Sequence, residues 1–285
     1  MTKEVTRQGR LSARSGWPKR KIIIDRYMRF VEHVGGRIPA HDYQFNRVTA
    51  LLAERIAQLL GATKPIQSQA FIGGFVHDRI RHVSNAPHAE ESADFTQKII
   101  EKRFGKRPVA RIVKAARLHD KIPGEFKKNL VWASVALADD VPKFGAIGAF
   151  RRSLFQAQKK ENIKRVAEEQ GRRPQTEPGQ VERELAIKII IERTNAMTKE
   201  HWKPDRYPGF MQKYMQRQFE MHNMFRQGLE KSEPWAVNLA WEMYKAGKKG
   251  TGLKEAIEGY KPIAREDSEF REQALTFLNN PEKLF

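Results

Sequence analysis

Gly73-Gly74-Phe75-Val76-His77-Asp78-Arg79-Ile80-Arg81-His82 ends an apolar run with an adjacent His and Asp. The run from Ile66 to Arg81 has helical spacing of its apolar residues. Each glycine inside it weakens a helix by about 1 kcal/mol relative to Ala, so the Gly73-Gly74 pair predicts close packing against a neighbouring helix. A lone His-Asp pair is more often a surface pair or a satisfied core histidine than a set of ligands. What gives this one weight is its company along the chain: His41, His88, His119 and the Asp139-Asp140 pair.

Helical periodicity spreads outward from that stretch. Ile22 to Val34 is helical and ends at Gly35-Gly36. Val48, Leu51, Leu52, Ile56, Leu59 and Leu60 recur at three and four before Gly61. Glu90 to Phe104, Val109 to Leu118 and Phe126 to Asp139 follow, and Pro142 interrupts before Phe144 to Ala157. Gln170 to Gln180 is a polar loop by its Pro and Gly content, and Val181 to Ala196, Tyr207 to Leu229, Pro234 to Ala246 and Glu266 to Leu278 complete the helices. No stretch shows sustained alternation of period two, so the expected fold is all-α. The expected organisation is a basic flexible arm over 1–21, a helical domain over 22–155 and a helical C-terminal extension over 156–285 on the same bundle. Aromatic and Met residues recur from Trp202 to Phe225 at helical spacing, which reads as core rather than as a stacking platform.

Composition narrows the chemistry. The 285 residues include no Cys, which removes disulfides, thiolate zinc sites and Cys nucleophiles together. Any metal must be held by imidazole and carboxylate, a donor set that suits iron, manganese, zinc or magnesium. No run of eighteen apolar residues exists, so no membrane helix and no membrane partner is expected. The net charge of +19 points to an anionic partner: a phosphorylated small molecule, a nucleotide or nucleic acid. Residues 1–40 hold ten Lys or Arg against three acids, and Arg151 to Arg173 hold eight against three. Residues 1–21 contain no apolar core of a secretory signal. The expected compartment is the cytoplasm, with a mitochondrial address the alternative because Glu4 is the only acid in that arm.

Placed on these helices, His77 and Asp78 close one, His88 opens the next, His119 closes another and Asp139 closes the one after. Helix ends are where side chains from different helices converge, and imidazole with carboxylate is a ligand set for a cation that activates water. In this order of His, His-Asp, two further His and Asp, residues 41–150 resemble the HD superfamily of metal-dependent phosphohydrolases. The ending Leu137-Ala138-Asp139-Asp140-Val141-Pro142-Lys143-Phe144-Gly145-Ala146-Ile147-Gly148-Ala149-Phe150-Arg151 is similar to that of a bacterial branch, Asp-Ala-Asp-x-Leu-Asp-Ala-x-Gly-Ala-Ile-Gly-x-x-Arg. Gly74-Phe75-Val76-His77-Asp78 resembles its Ala-Leu-Leu-His-Asp. His88 with Ser92-Ala93 and Arg117-Leu118-His119 fall at its later His positions, and Arg206 with Phe210-Met211 is similar to its C-terminal helix.

The resemblance implies an HD-type helical bundle with additional C-terminal helices, and a divalent ion that lowers the pKa of a water attacking phosphorus. It implies His41, His77, Asp78 and Asp139 as metal ligands. Asp78, His88 and His119 become catalytic residues, the two His serving a second ion or the substrate phosphate. Aligned on Arg47-Val48, Gln44 stands where the first ligand His belongs, with His41 about one turn earlier. Leu137 and Pro142 replace two of the branch's acids, and Arg79 and Arg81 flank the His-Asp pair with positive charge. His33, His82, His201 and His222 match no family position. These departures frame an alternative: an HD fold kept as a scaffold that binds RNA or DNA through its basic segments, as in a ribonucleoprotein subunit.

Overall fold

The computed structural model describes residues 42–78, 88–101, 106–157, 159–172 and 178–285. The arm over 1–21 and the helix expected over Ile22 to Val34 lie outside the described residues. Among the described residues the fold is all-α, with twelve helices and no strand. They are α1 (Tyr43–Leu59), α2 (Lys64–Val76), α3 (His88–Ile100), α4 (Lys106–Arg117), α5 (Leu130–Asp140) and α6 (Gly145–Gln156). The series continues with α7 (Lys160–Arg172), α8 (Pro178–His201), α9 (Gly209–Glu230), α10 (Pro234–Lys248), α11 (Leu253–Gly259) and α12 (Arg265–Asn279). None is long and apolar enough to cross a membrane.

Local chemistry sets the boundaries. Asp42 caps α1, its Oδ1 accepting the Phe45 backbone N–H at 2.8 Å. Pro142 sits in a 3₁₀ turn, Val141–Lys143, that separates α5 from α6. The polar loop expected over Gln170 to Gln180 is helical at both ends: α7 runs on to Arg172, and α8 opens on Pro178, whose fixed φ suits a first helical residue. Helices α7 and α11 were not expected. Apolar residues in α7 are few among its charges, and α11 has seven residues, too short for periodicity to register.

Contacts divide the described chain into two compact units, residues 49–139 in one and residues 42–48 with 140–285 in the other. The boundary expected near residue 155 falls inside the second unit. In the first unit α3 lies along α4 and α2 packs on α4. Ile72, Phe75, Ile112, Val135 and Leu137 are fully buried there. The glycine pair is explained by contact: a Cβ at Gly74 would stand 3.0 Å from both the Ala50 Cα and the Thr49 carbonyl oxygen of α1, and one at Gly73 would stand 2.9 Å from Val135 Cγ2 of α5.

In the second unit α6 is the hub, with α8, α9, α10, α11 and α12 around it. Phe144, Phe150 and Leu154 are fully buried. Much of the aromatic and Met stripe is core: Met211, Met215 and Phe225 are fully buried, and Trp202 stacks on Phe219 at 4.0 Å between ring centroids, while Met224 is 37% exposed. The Arg151 guanidinium lies 4.1 Å from the centre of the Phe45 ring.

A side chain at Gly74 must push two helix backbones apart. Gly74→Val is expected to destabilise the protein by about 1–3 kcal/mol in urea unfolding, with Gly74→Ala costing less. An unchanged urea midpoint in the Val variant would contradict the close α1–α2 approach.

Candidate metal centre

Helix α2 ends at Val76 rather than at Arg81, so His77 and Asp78 stand just past its last turn. His119 stands two residues past the end of α4. The last carbonyls of a helix lack intrahelical donors, and both histidines use one. His77 Nδ1 lies 2.7 Å from the Gly74 carbonyl oxygen, and His119 Nδ1 lies 2.7 Å from that of Ala116. A carbonyl can only accept, so in both rings Nδ1 carries the proton and donates it. That leaves Nε2 as the nitrogen aimed away from the helix end. Histidines that bind metals are held in the same way, with the second ring nitrogen fixed by a backbone carbonyl or carboxylate.

Both Nε2 atoms point at carboxylates. His77 Nε2 is 3.3 Å from Asp139 Oδ1 and 3.8 Å from Asp78 Oδ2, while His119 Nε2 is 3.3 Å from Asp78 Oδ1. The rings meet edge to face at 4.9 Å between centroids. His77 is fully buried, and His119, Asp139 and Asp78 are 1%, 2% and 3% exposed. His77 Nε2 makes no hydrogen bond among the described residues. One ligand atom from each of His77, Asp78 and His119 lies within 4.8 Å of the others, as does one from each of His119, Asp120 and Asp139. The two groups share His119, which has one Nε2 to offer.

Asp120 is the residue that sequence reasoning missed. Its Oδ1 lies 3.3 Å from His119 Nε2, and its side chain is 52% exposed. The signal was present: His119-Asp120 repeats the His-Asp dipeptide of positions 77 and 78.

The other expected site residues are placed differently. His41 and the His88 side chain lie outside the described residues, as do Arg79, Arg81 and His82; His88 is the first residue of α3. Gln44 is exposed on the first turn of α1. Asp140, the neighbour of Asp139, is engaged elsewhere. Its Oδ2 accepts from Arg206 Nη2 at 2.8 Å and from the Tyr207 hydroxyl, and Lys143 Nζ lies 3.2 Å from Oδ1.

Electrostatics fit a cation. Burial pulls the His119 pKa down, but the Asp78 hydrogen bond and charge, then the charges of Asp139 and Asp120, outweigh it and raise the pKa to about 9. The carboxylates thus demand positive charge at Nε2, which a proton supplies in the absence of metal. Buried imidazole and carboxylate groups spaced in this way could hold a metal ion. Comparison with family models, with curated proteins and with solved structures returned no match.

The raised pKa of His119 fixes two pH dependences. In the metal-free chain its protonation contributes stability that is fully present below about pH 6.5 and lost as pH rises through about 9, so the melting temperature falls across that window. In His119→Gln the fall is smaller. Metal must displace the same proton, so affinity strengthens by up to about tenfold per pH unit below pH 9 and each ion releases about one proton. Calorimetry in two buffers of different ionisation enthalpy measures that release, and binding without it contradicts the assignment of Nε2 as a ligand.

Proposed function

We propose that this chain is a metal-dependent phosphohydrolase of the HD type, acting on a nucleotide or a related phosphate ester. His77, Asp78, His119 and Asp139 would hold the ion. The observation that carries the reading is the pair of Nδ1 bonds to backbone carbonyls, which fixes both Nε2 atoms against buried carboxylates. A divalent ion bound there lowers the pKa of its water and polarises phosphoryl oxygens.

The chain's own residues supply the rest. Gly74 and Ala116 lock the two rings through their carbonyls, so the nitrogens need not reorganise when charge arrives. Asp78 and Asp139 set a strongly negative potential in a dry interior, where electrostatic effects are larger than in water. Asp120 is the half-exposed member, and its carboxylate is where a proton can pass between the site and solvent. The net charge of +19 favours encounter with phosphorylated substrates.

Elemental analysis of the purified protein is expected to find near-stoichiometric zinc, iron or manganese, lost in the His77→Ala/Asp78→Ala variant. The metal-loaded protein is then expected to hydrolyse nucleoside phosphates, with the double variant slower by roughly 100-fold or more. Protein that stays metal-free after incubation with those ions and magnesium would sink this reading.

One observation favours a second reading. The charge of +19 exceeds what a small-molecule site needs and suits an HD-type scaffold that binds RNA or DNA through phosphate contacts. On that reading the His77→Ala/Asp78→Ala variant binds a short RNA as the wild type does. Affinity then drops by about 10³-fold or more between 50 and 200 mM salt, as expected for six to ten phosphate contacts. Binding that ignores salt rules it out.

A further inference from the structure

The second unit contains a buried cation with no counter-ion among the described residues. Arg152 in α6 is 7% exposed, and among the described residues its guanidinium meets only neutral acceptors. Nη2 donates to the Lys143 carbonyl at 2.7 Å. Nη1 lies 3.4 Å from Thr194 Oγ1 and 3.5 Å from His222 Nδ1, both long contacts. A guanidinium has five N–H groups, and three contacts leave two of them, Nε–H and one on Nη2, with no acceptor among the described residues.

The surroundings sharpen the imbalance. His222 is 1% exposed, and its Nε2 sits 3.0 Å from Thr198 Oγ1 and 3.3 Å from the Thr194 carbonyl. The carbonyl must accept, so Nε2 carries the ring proton and Nδ1 presents its lone pair to Arg152. Burial, then the Arg152 charge, hold the His222 pKa down to about 3, so this ring stays neutral. Burial and then the neighbouring Arg151 pull the Arg152 pKa down to about 9, which still leaves it charged at neutral pH.

A purely architectural role does not account for this arrangement. Tying the turn before α6 to α8 and α9 needs a neutral donor such as Gln. A buried charge held by neutral acceptors alone keeps much of its desolvation penalty, because no opposite charge stands beside it among the described residues. Such a penalty is tolerated where a ligand removes it.

We propose that Arg152 anchors an oxyanion site in the second unit, one that takes a phosphate group. The Nε and Nη2 edge of a guanidinium matches two oxygens of a tetrahedral oxyanion side by side, which Lys cannot reproduce. The phosphate supplies the missing negative charge and accepts the two idle N–H groups. This site uses no residue of the metal centre and stands whether or not the hydrolase reading does.

The test is thermal unfolding of the full chain in EDTA, with inorganic phosphate or a nucleoside monophosphate replacing chloride at constant ionic strength. Wild type is expected to melt higher with saturating dependence on the probe, as for a ligand that binds only the folded state. Arg152→Met, which removes the charge and keeps the bulk, is expected to lose the response and to melt no lower than wild type in chloride. Arg152→Lys covers the case in which the Met variant does not fold, and should shift half-saturation by about tenfold or more. Equal half-saturation for the two probes identifies the phosphate group alone as the ligand, and tighter binding of the nucleotide extends the site to its sugar or base. His77→Gln should respond as wild type does. The proposal is overturned if neither probe stabilises the wild type, if the Arg152 variants respond equally, or if the response vanishes with His77.

Discussion

Two aspartates buried within reach of the same two imidazoles set the terms for the first unit. Asp78 and Asp139 are at most 3% exposed, and a carboxylate in such a place is strongly penalised unless positive charge stands beside it. Only two species can supply that charge at Nε2 of His119: a proton or a metal ion. The high pKa of His119 is the proton's answer to the demand. Protonation of His119 is therefore linked to folding, and an ion bound at the same nitrogen would compete with that proton.

Helix ends make that equilibrium geometrically sharp. A helix that stops one residue before His77, and another that stops two residues before His119, each leave carbonyls without donors. The histidine just beyond can reach back three residues and bond one of them, at 2.7 Å in both cases. The same contact that finishes the helix orients the ring. Continuing α2 to Arg81 would have satisfied the Gly74 carbonyl from the backbone and left the His77 ring free to turn, so termination and site construction are one event.

This is also where the sequence was readable and where it was not. The helical period, the absence of alternation and the glycine pair made an all-α fold and a tight helix contact legible, because both depend on local spacing and side-chain size. His77, Asp78, His119 and Asp139 could be singled out because few polar residues stand at the ends of apolar helices. The stop at Val76 was not legible: nothing between Ile66 and Arg81 breaks the apolar period, and the bond from His77 to Gly74 competes with it only in three dimensions. Asp120 was overlooked because an acid after a histidine is common on a surface, and its 52% exposure gives it no hydrophobic flank to mark it. Arg152 was hidden for the opposite reason. It lies in a basic stretch whose ordinary reading is a solvated face, and its burial follows from α6 being enclosed by five other helices.

Asp139 and Asp140 show how completely packing can separate two chemically identical neighbours. Successive residues on a helix project about 100° apart, enough to send one carboxylate to His77 and the other to Arg206, Tyr207 and Lys143. Asp140 is compensated by two cations and a hydroxyl whose pKa burial, and then the Asp140 charge, push up, so it has no charge left over for an ion. Asp139 instead faces His77 Nε2, an imidazole nitrogen that makes no hydrogen bond among the described residues. Adjacent acids on one helix therefore meet different chemistry, because one faces an imidazole and the other a guanidinium, an ammonium and a phenol.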